Sequence, residues 1–179
     1  MQQVAPLGAW TTLYTIAGSS AAALVGLMFV VVTLVGDAQR RIKDQGLGVS
    51  VFSTPTVIHL TVVLSVSLGF VAPWGSLTGP AVLLGLAGIV GALYVAIGLV
   101  NMRRLEEYES DAEDWAWFNI IPLLTYVAMI IAAILLLSRP EFALFLTAGC
   151  ILALLVIGIR NSWDVVTYLT VTAASEDEP

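Results

Sequence analysis

Apolar positions in this chain do not alternate with polar ones but run on. Five segments are almost uninterrupted by charge: Thr12 to Val35, Pro55 to Val71, Ala81 to Val100, Trp117 to Leu137 and Phe142 to Ile159. Crossing the hydrocarbon core takes about 20 residues of helix at about 1.5 Å rise per residue. A barrel strand needs only about 10 residues and alternates its faces, so runs of this kind do not fit one. Lipid offers backbone groups no hydrogen bonds, which leaves helices. The pattern predicts an all-α membrane protein: a polytopic bundle of five transmembrane helices forming one domain over residues 1–171, with residues 172–179 as a short, disordered acidic tail. An odd number of spans does not divide into two inverted halves, so the usual secondary-transporter duplication has no support.

Finer patterns lie inside the segments. In the first, Thr12, Thr15, Ser19, Ala22, Gly26 and Thr33 recur at helical spacing with Phe29 among them, giving a small, weakly polar stripe. The third repeats the device with Ala81, Gly85, Gly88, Ala92 and Ala96. Small residues let helix backbones approach closely. For the third segment, packing within the chain or between copies is the reading. For the first, a path lined by threonine and serine between symmetric copies stays open beside it. In the second segment Thr54 and Pro55 read as N-cap and first helical residue. His59, the one histidine, then stands about one turn (roughly 6 Å) inside the helix. Thr54, Thr61 and Ser65 gather on one side of that helix, Thr56, His59 and Ser67 on another, and most hydroxyls are expected to bond their own backbone. Ser110 and Glu113 form a capping box ahead of the fourth segment. Pro122 falls inside that segment, where it should kink the helix by depriving the Phe118 carbonyl of its donor, with Asn119 placed to substitute.

Composition agrees with the pattern: 59% of residues are hydrophobic, 11% are charged, and mean hydropathy is +0.95. Charge then adds orientation. Arg40, Arg41, Lys43, Arg103, Arg104 and Arg160 follow the first, third and fifth segments, and Arg139 alone falls on the opposite side. The positive-inside rule places the N-terminus outside and the C-terminus in the cytoplasm. Trp10, Tyr14, Trp74, Trp115, Trp117 and Trp163 stand near segment ends, as interfacial aromatics do. A net charge of −6 speaks against a nucleic-acid partner. The lone Cys150 has no second thiol to pair with and reads as a packing residue. The N-terminus lacks the pattern of a cleaved leader.

Catalysis finds little footing. There is no metalloprotease helix motif, no nucleophile elbow and no phosphate loop, so the chain reads as a non-enzyme without cofactor or metal. Six acidic residues between Glu106 and Asp114 make a loop that suits a solvated cap or a docking site for a protein partner. The remaining candidates share one depth: Asp37, Asn101 and Asn119 at helix ends, and Arg160, Asn161 and Asp164 after the fifth segment. Arg160 and Asp164, four apart, can pair along one face, and Asp37 could reach Arg160. The plain reading is a neutralised interfacial cluster. The sharper one is an ion site or proton-sensitive gate at the cytoplasmic mouth, built on His59 beside Asp37 and Asp164.

Three phrases, AALVGLMFVVVTL in the first segment, STPTVIHL opening the second and IRNSWDVVTYL after the fifth, resemble a group of small bacterial multi-span integral membrane proteins to which no activity is attached. The resemblance implies a bacterial inner-membrane location and carries over no site residues. Two functions follow from the residues. One is a homo-oligomeric channel or simple transporter for a small ion or solute. The other is a non-catalytic scaffold or regulatory subunit that binds a partner through the acidic loop.

Overall fold

The computed structural model describes residues 5–39, 46–102 and 115–176. Every element among them is helical: α1 (Ala5–Gly8), α2 (Thr11–Gln39), α3 (Gly46–Val71), α4 (Thr78–Met102), a π-helical turn (Ala116–Ile120), α5 (Ile121–Leu135) and α6 (Pro140–Glu176). Four stretches are long and apolar enough to cross a membrane: Thr11–Val30, Thr78–Leu99, Ala116–Leu135 and Pro140–Asp164. The apolar part of α3, Pro55–Val71, is shorter.

Ring contacts set the directions of the helices. Trp10 and Phe145 meet edge-on with centroids 4.7 Å apart, placing the start of α6 beside the start of α2. Tyr14 and Phe70 lie 4.9 Å apart, placing the end of α3 at the same end of the bundle. Helix α3 therefore runs antiparallel to both α2 and α6. The principal pairings are α2 with α3 and α4 with α5, and α6 packs against α2, α3 and α5.

The small residues of α4 do what their spacing suggests. A Cβ on Gly85 would rest 3.5 Å from Ala133 Cβ, and one on Gly88 would come within 2.8 Å of Ile130 Cγ1 and 3.0 Å of the Tyr126 carbonyl, so α4 and α5 meet nearly backbone to backbone. In α2 the stripe takes a different place. Thr12, Thr15, Ser19, Ala22, Gly26, Phe29 and Thr33 all face outward, while Tyr14, Ala17, Gly18, Ala21 and Met28 face the bundle. Residues 17–23 are small on every side of the helix, so spacing alone does not select a face; the larger Tyr14 and Met28 bury more surface and decide it.

Four boundaries depart from the sequence expectation. Helix α3 does not start at Thr54 but at Gly46, leaving Pro55 in its interior, as lipid-embedded helices tolerate when neighbours compensate the lost bond. Around Pro122 the helix continues without a break but changes type. The π turn ahead of it, closed by the Ile121 N–H donating to the Ala116 carbonyl, lets the proline sit in the first turn of α5, where a missing donor costs little. The last helix does not stop near Ile159: no glycine or proline interrupts residues 159–176, and α6 continues through them. Residues 172–176 of the expected tail are accordingly helical, and residues 177–179 lie outside the described residues. The capping box at Ser110 and Glu113, the acidic loop and the basic residues at 40, 41, 43, 103 and 104 also lie outside them.

The connections are tight. Trp74 folds back so that its indole N–H donates to the Gly69 carbonyl at 2.6 Å, tying off the end of α3, while its ring lies against Gly79 at the start of α4. Between α5 and α6 the Arg139 N–H donates to the Leu135 carbonyl at 2.7 Å, and Pro140 opens α6 with Glu141 in the first turn, near the positive end of the helix dipole.

A candidate polar site buried between α3, α5 and α6

Helix α3 sorts its polar residues by face. Thr61 and Ser65 are exposed, and the Thr61 hydroxyl donates to the Val57 carbonyl at 2.7 Å. Thr56, His59 and Ser67 point into the bundle and are buried. His59 is 1% exposed. It stands thirteen residues, roughly 20 Å, from the start of α3 and twelve residues, roughly 18 Å, from its end at Val71. Within the apolar part of the helix, Pro55–Val71, it stands four residues, roughly 6 Å, from the end, so the earlier start of α3 moves the helix boundary and not the place of His59 in the apolar part.

The partner of His59 is a residue the sequence reading passed over. Its Nδ1 lies 2.7 Å from the hydroxyl of Tyr126 on α5, which is fully buried, and the two rings tilt toward each other at 5.6 Å. Tyr126 is held from behind by α4: its ring lies so close on Gly91 that a Cβ there would overlap ring carbons, and its carbonyl is beside Gly88. The signal in the sequence was the Gly88–Gly91 spacing, a flat patch on α4 that an aromatic ring on the neighbouring helix can cover.

On α6, Gly158 fits Leu60; a Cβ at Gly158 would come within 2.7 Å of Leu60 Cδ2. Because the two helices are antiparallel, Asn161 lies one turn from that crossing on the side where Thr56 lies on α3. Asn161 is fully buried. Among the described residues neither atom of its carboxamide has a hydrogen-bond partner, and neither does Nε2 of His59. Such buried polar groups cost about 1–3 kcal/mol each when unsatisfied.

Arg160 and Asp164 lie on α6 near this level, with Nη1 and Oδ2 3.8 Å apart along one face. The Arg160 guanidinium also sits over the Trp117 ring, 4.7 Å from its centroid, which links α6 to the π turn. Asn119 is buried in that turn, and its amide donates to the Trp115 carbonyl at 3.4 Å. Asp37 and Asn101 lie on described helical backbone, but their side chains fall outside the described residues. Of the sequence candidates, His59 and Asn161 are therefore buried between helices, whereas Arg160 and Asp164 form a partly exposed pair. On the outer face of α2 the hydroxyls of Thr15 and Thr33 donate to the carbonyls four residues back, at 2.8 Å each. Cys150 is a buried free thiol.

Compared with protein-family models, with curated proteins and with solved structures, the chain finds no match.

Proposed function

We propose that the chain is a homo-oligomeric channel or simple transporter for a small ion or solute in a bacterial inner membrane, with α3 as a fifth span and the N-terminus outside. The observation that carries it is the His59–Tyr126 pair, a buried side-chain contact at 2.7 Å between two helices of a mostly apolar bundle. Polar and ionisable side chains in apolar spans are expensive, and paths for ions or solutes are one use that offsets the cost. A fifth span is supported by the way α3 packs antiparallel on two helices of spanning length, from Phe70 at one end to Leu60 toward the other. Assembly of copies is supported by a contrast between outer faces. On α4 the exposed residues are bulky, among them Val82, Leu86, Ile89, Leu93 and Ile97, as lipid contact favours. On α2 the exposed bulky residues Ile16, Leu27, Phe29 and Val30 are interleaved with small and hydroxylated ones, Thr12, Thr15, Ser19, Ala22 and Gly26, which leave room for a second helix to approach.

The test is reconstitution into liposomes with separate gradients of potassium, protons and glycerol. The expected result is that one gradient collapses faster than in protein-free vesicles. Vesicles that remain tight to every probe while holding folded protein would overturn the proposal.

A further inference from the structure

We infer that His59 Nε2 and the Asn161 carboxamide form an intramembrane binding site for a neutral, hydrogen-bonding guest: water or a small hydroxylic solute. Two observations carry this independently. Asn161 is fully buried, and neither its donor nor its acceptor is used by any described residue. His59 is 1% exposed, and its second nitrogen is in the same condition while the first is engaged by Tyr126.

The levels of the two residues agree. Leu60 on Gly158 fixes where α3 crosses α6, and His59 and Asn161 each lie within a turn of that crossing. The chemistry of the atoms then selects the guest. If the Tyr126 hydroxyl donates to Nδ1, Nε2 carries a hydrogen and needs an acceptor; if Nδ1 donates to the hydroxyl, Nε2 needs a donor. The carboxamide asks for both. A molecule that donates and accepts satisfies either tautomer together with the amide, whereas a metal cation offers no acceptor and a halide no donor. Buried waters characteristically make two to four such bonds to otherwise unsatisfied groups.

The site needs only the buried groups. Its extension, that the guest is also what the protein conducts, rests on the transport proposal and names its solute class. The single histidine makes the test clean. Protein labelled with nitrogen-15 at histidine and placed in lipid bilayers has one imidazole to observe. Magnetisation transfer from water protons to Nε2 is expected in the wild type, and a several-fold loss of it in Asn161→Leu with the Nδ1 signal kept. Adding glycerol separates the sources: a shifted Nε2 resonance assigns a hydroxylic solute, and an unshifted one assigns water. An imidazole in the wild type that receives no transfer from water and does not respond to glycerol overturns the inference whether or not the variant folds. Permeability on the same preparations keeps the two ideas apart. Transfer in tight vesicles leaves the site and removes transport, and a dry imidazole in conducting vesicles does the reverse.

Discussion

Gly91 and Gly98 both interrupt α4, but only one is needed there. The Tyr126 ring occupies the space a side chain on Gly91 would take, whereas among the described residues nothing beyond its own helix lies within 4 Å of where a Cβ on Gly98 would stand. Gly91→Ala is expected to destabilise the protein by about 1–3 kcal/mol through overpacking. Gly98→Ala should be neutral or stabilise by up to about 1 kcal/mol through helix propensity. Thermal unfolding of both variants in detergent checks the pair, and equal effects would remove the Tyr126 seat. Tyr126→Phe takes away the hydroxyl but keeps the ring, leaving Nδ1 of His59 without its partner at a cost of about 1–3 kcal/mol. The same unfolding measurement reads it; a stability loss well below that range would mean that the pair is not formed in the folded protein. Residues of this kind were only half legible in the sequence. His59 stood out as the one histidine, and the two faces of α3 followed from helical spacing. Tyr126 did not, because an aromatic in an apolar run looks like core until the neighbouring helix shows what its hydroxyl meets.

At the scale of elements, the positions of the apolar runs were legible and their ends were not. Hydrophobic length says where a helix crosses lipid, but not where hydrogen bonding stops. Helix α6 thus continues far past the last run, and α3 begins before its proline. Pro122 illustrates the point most clearly. A proline in a run calls for a local rearrangement of the hydrogen-bond ladder, and here the ladder widens into the π turn at Ala116–Ile120 just ahead of it. That turn is held to α6 by Arg160 over Trp117. A double-mutant cycle with Trp117→Leu and Arg160→Gln should give a coupling of about 0.5–1 kcal/mol, the range for an incompletely buried cation over a ring. Additive effects would mean that the contact does not tie the turn to α6.

For the molecule as a whole, the all-helical architecture and the membrane-length runs could be read from hydropathy. Which face of α2 meets the bundle could not, since small residues surround it. Its outward stripe has one consequence for assembly. Gly26 lies on that face, and among the described residues nothing beyond its own helix comes within 4 Å of where its Cβ would stand, so a larger side chain fits there. If copies assemble on this face, as proposed, Gly26→Leu should leave the unfolding temperature almost unchanged yet lower the fraction of crosslinked oligomer in membranes, because it thickens that surface. An unchanged oligomer fraction would take α2 out of the interface.

The most direct test of the buried polar pair as part of a pathway is the flux of the conducted species through proteoliposomes containing wild type or His59→Ala at equal protein density, with the helical content of both confirmed. The account predicts a several-fold difference in rate between the two. Equal rates from two folded proteins would contradict it.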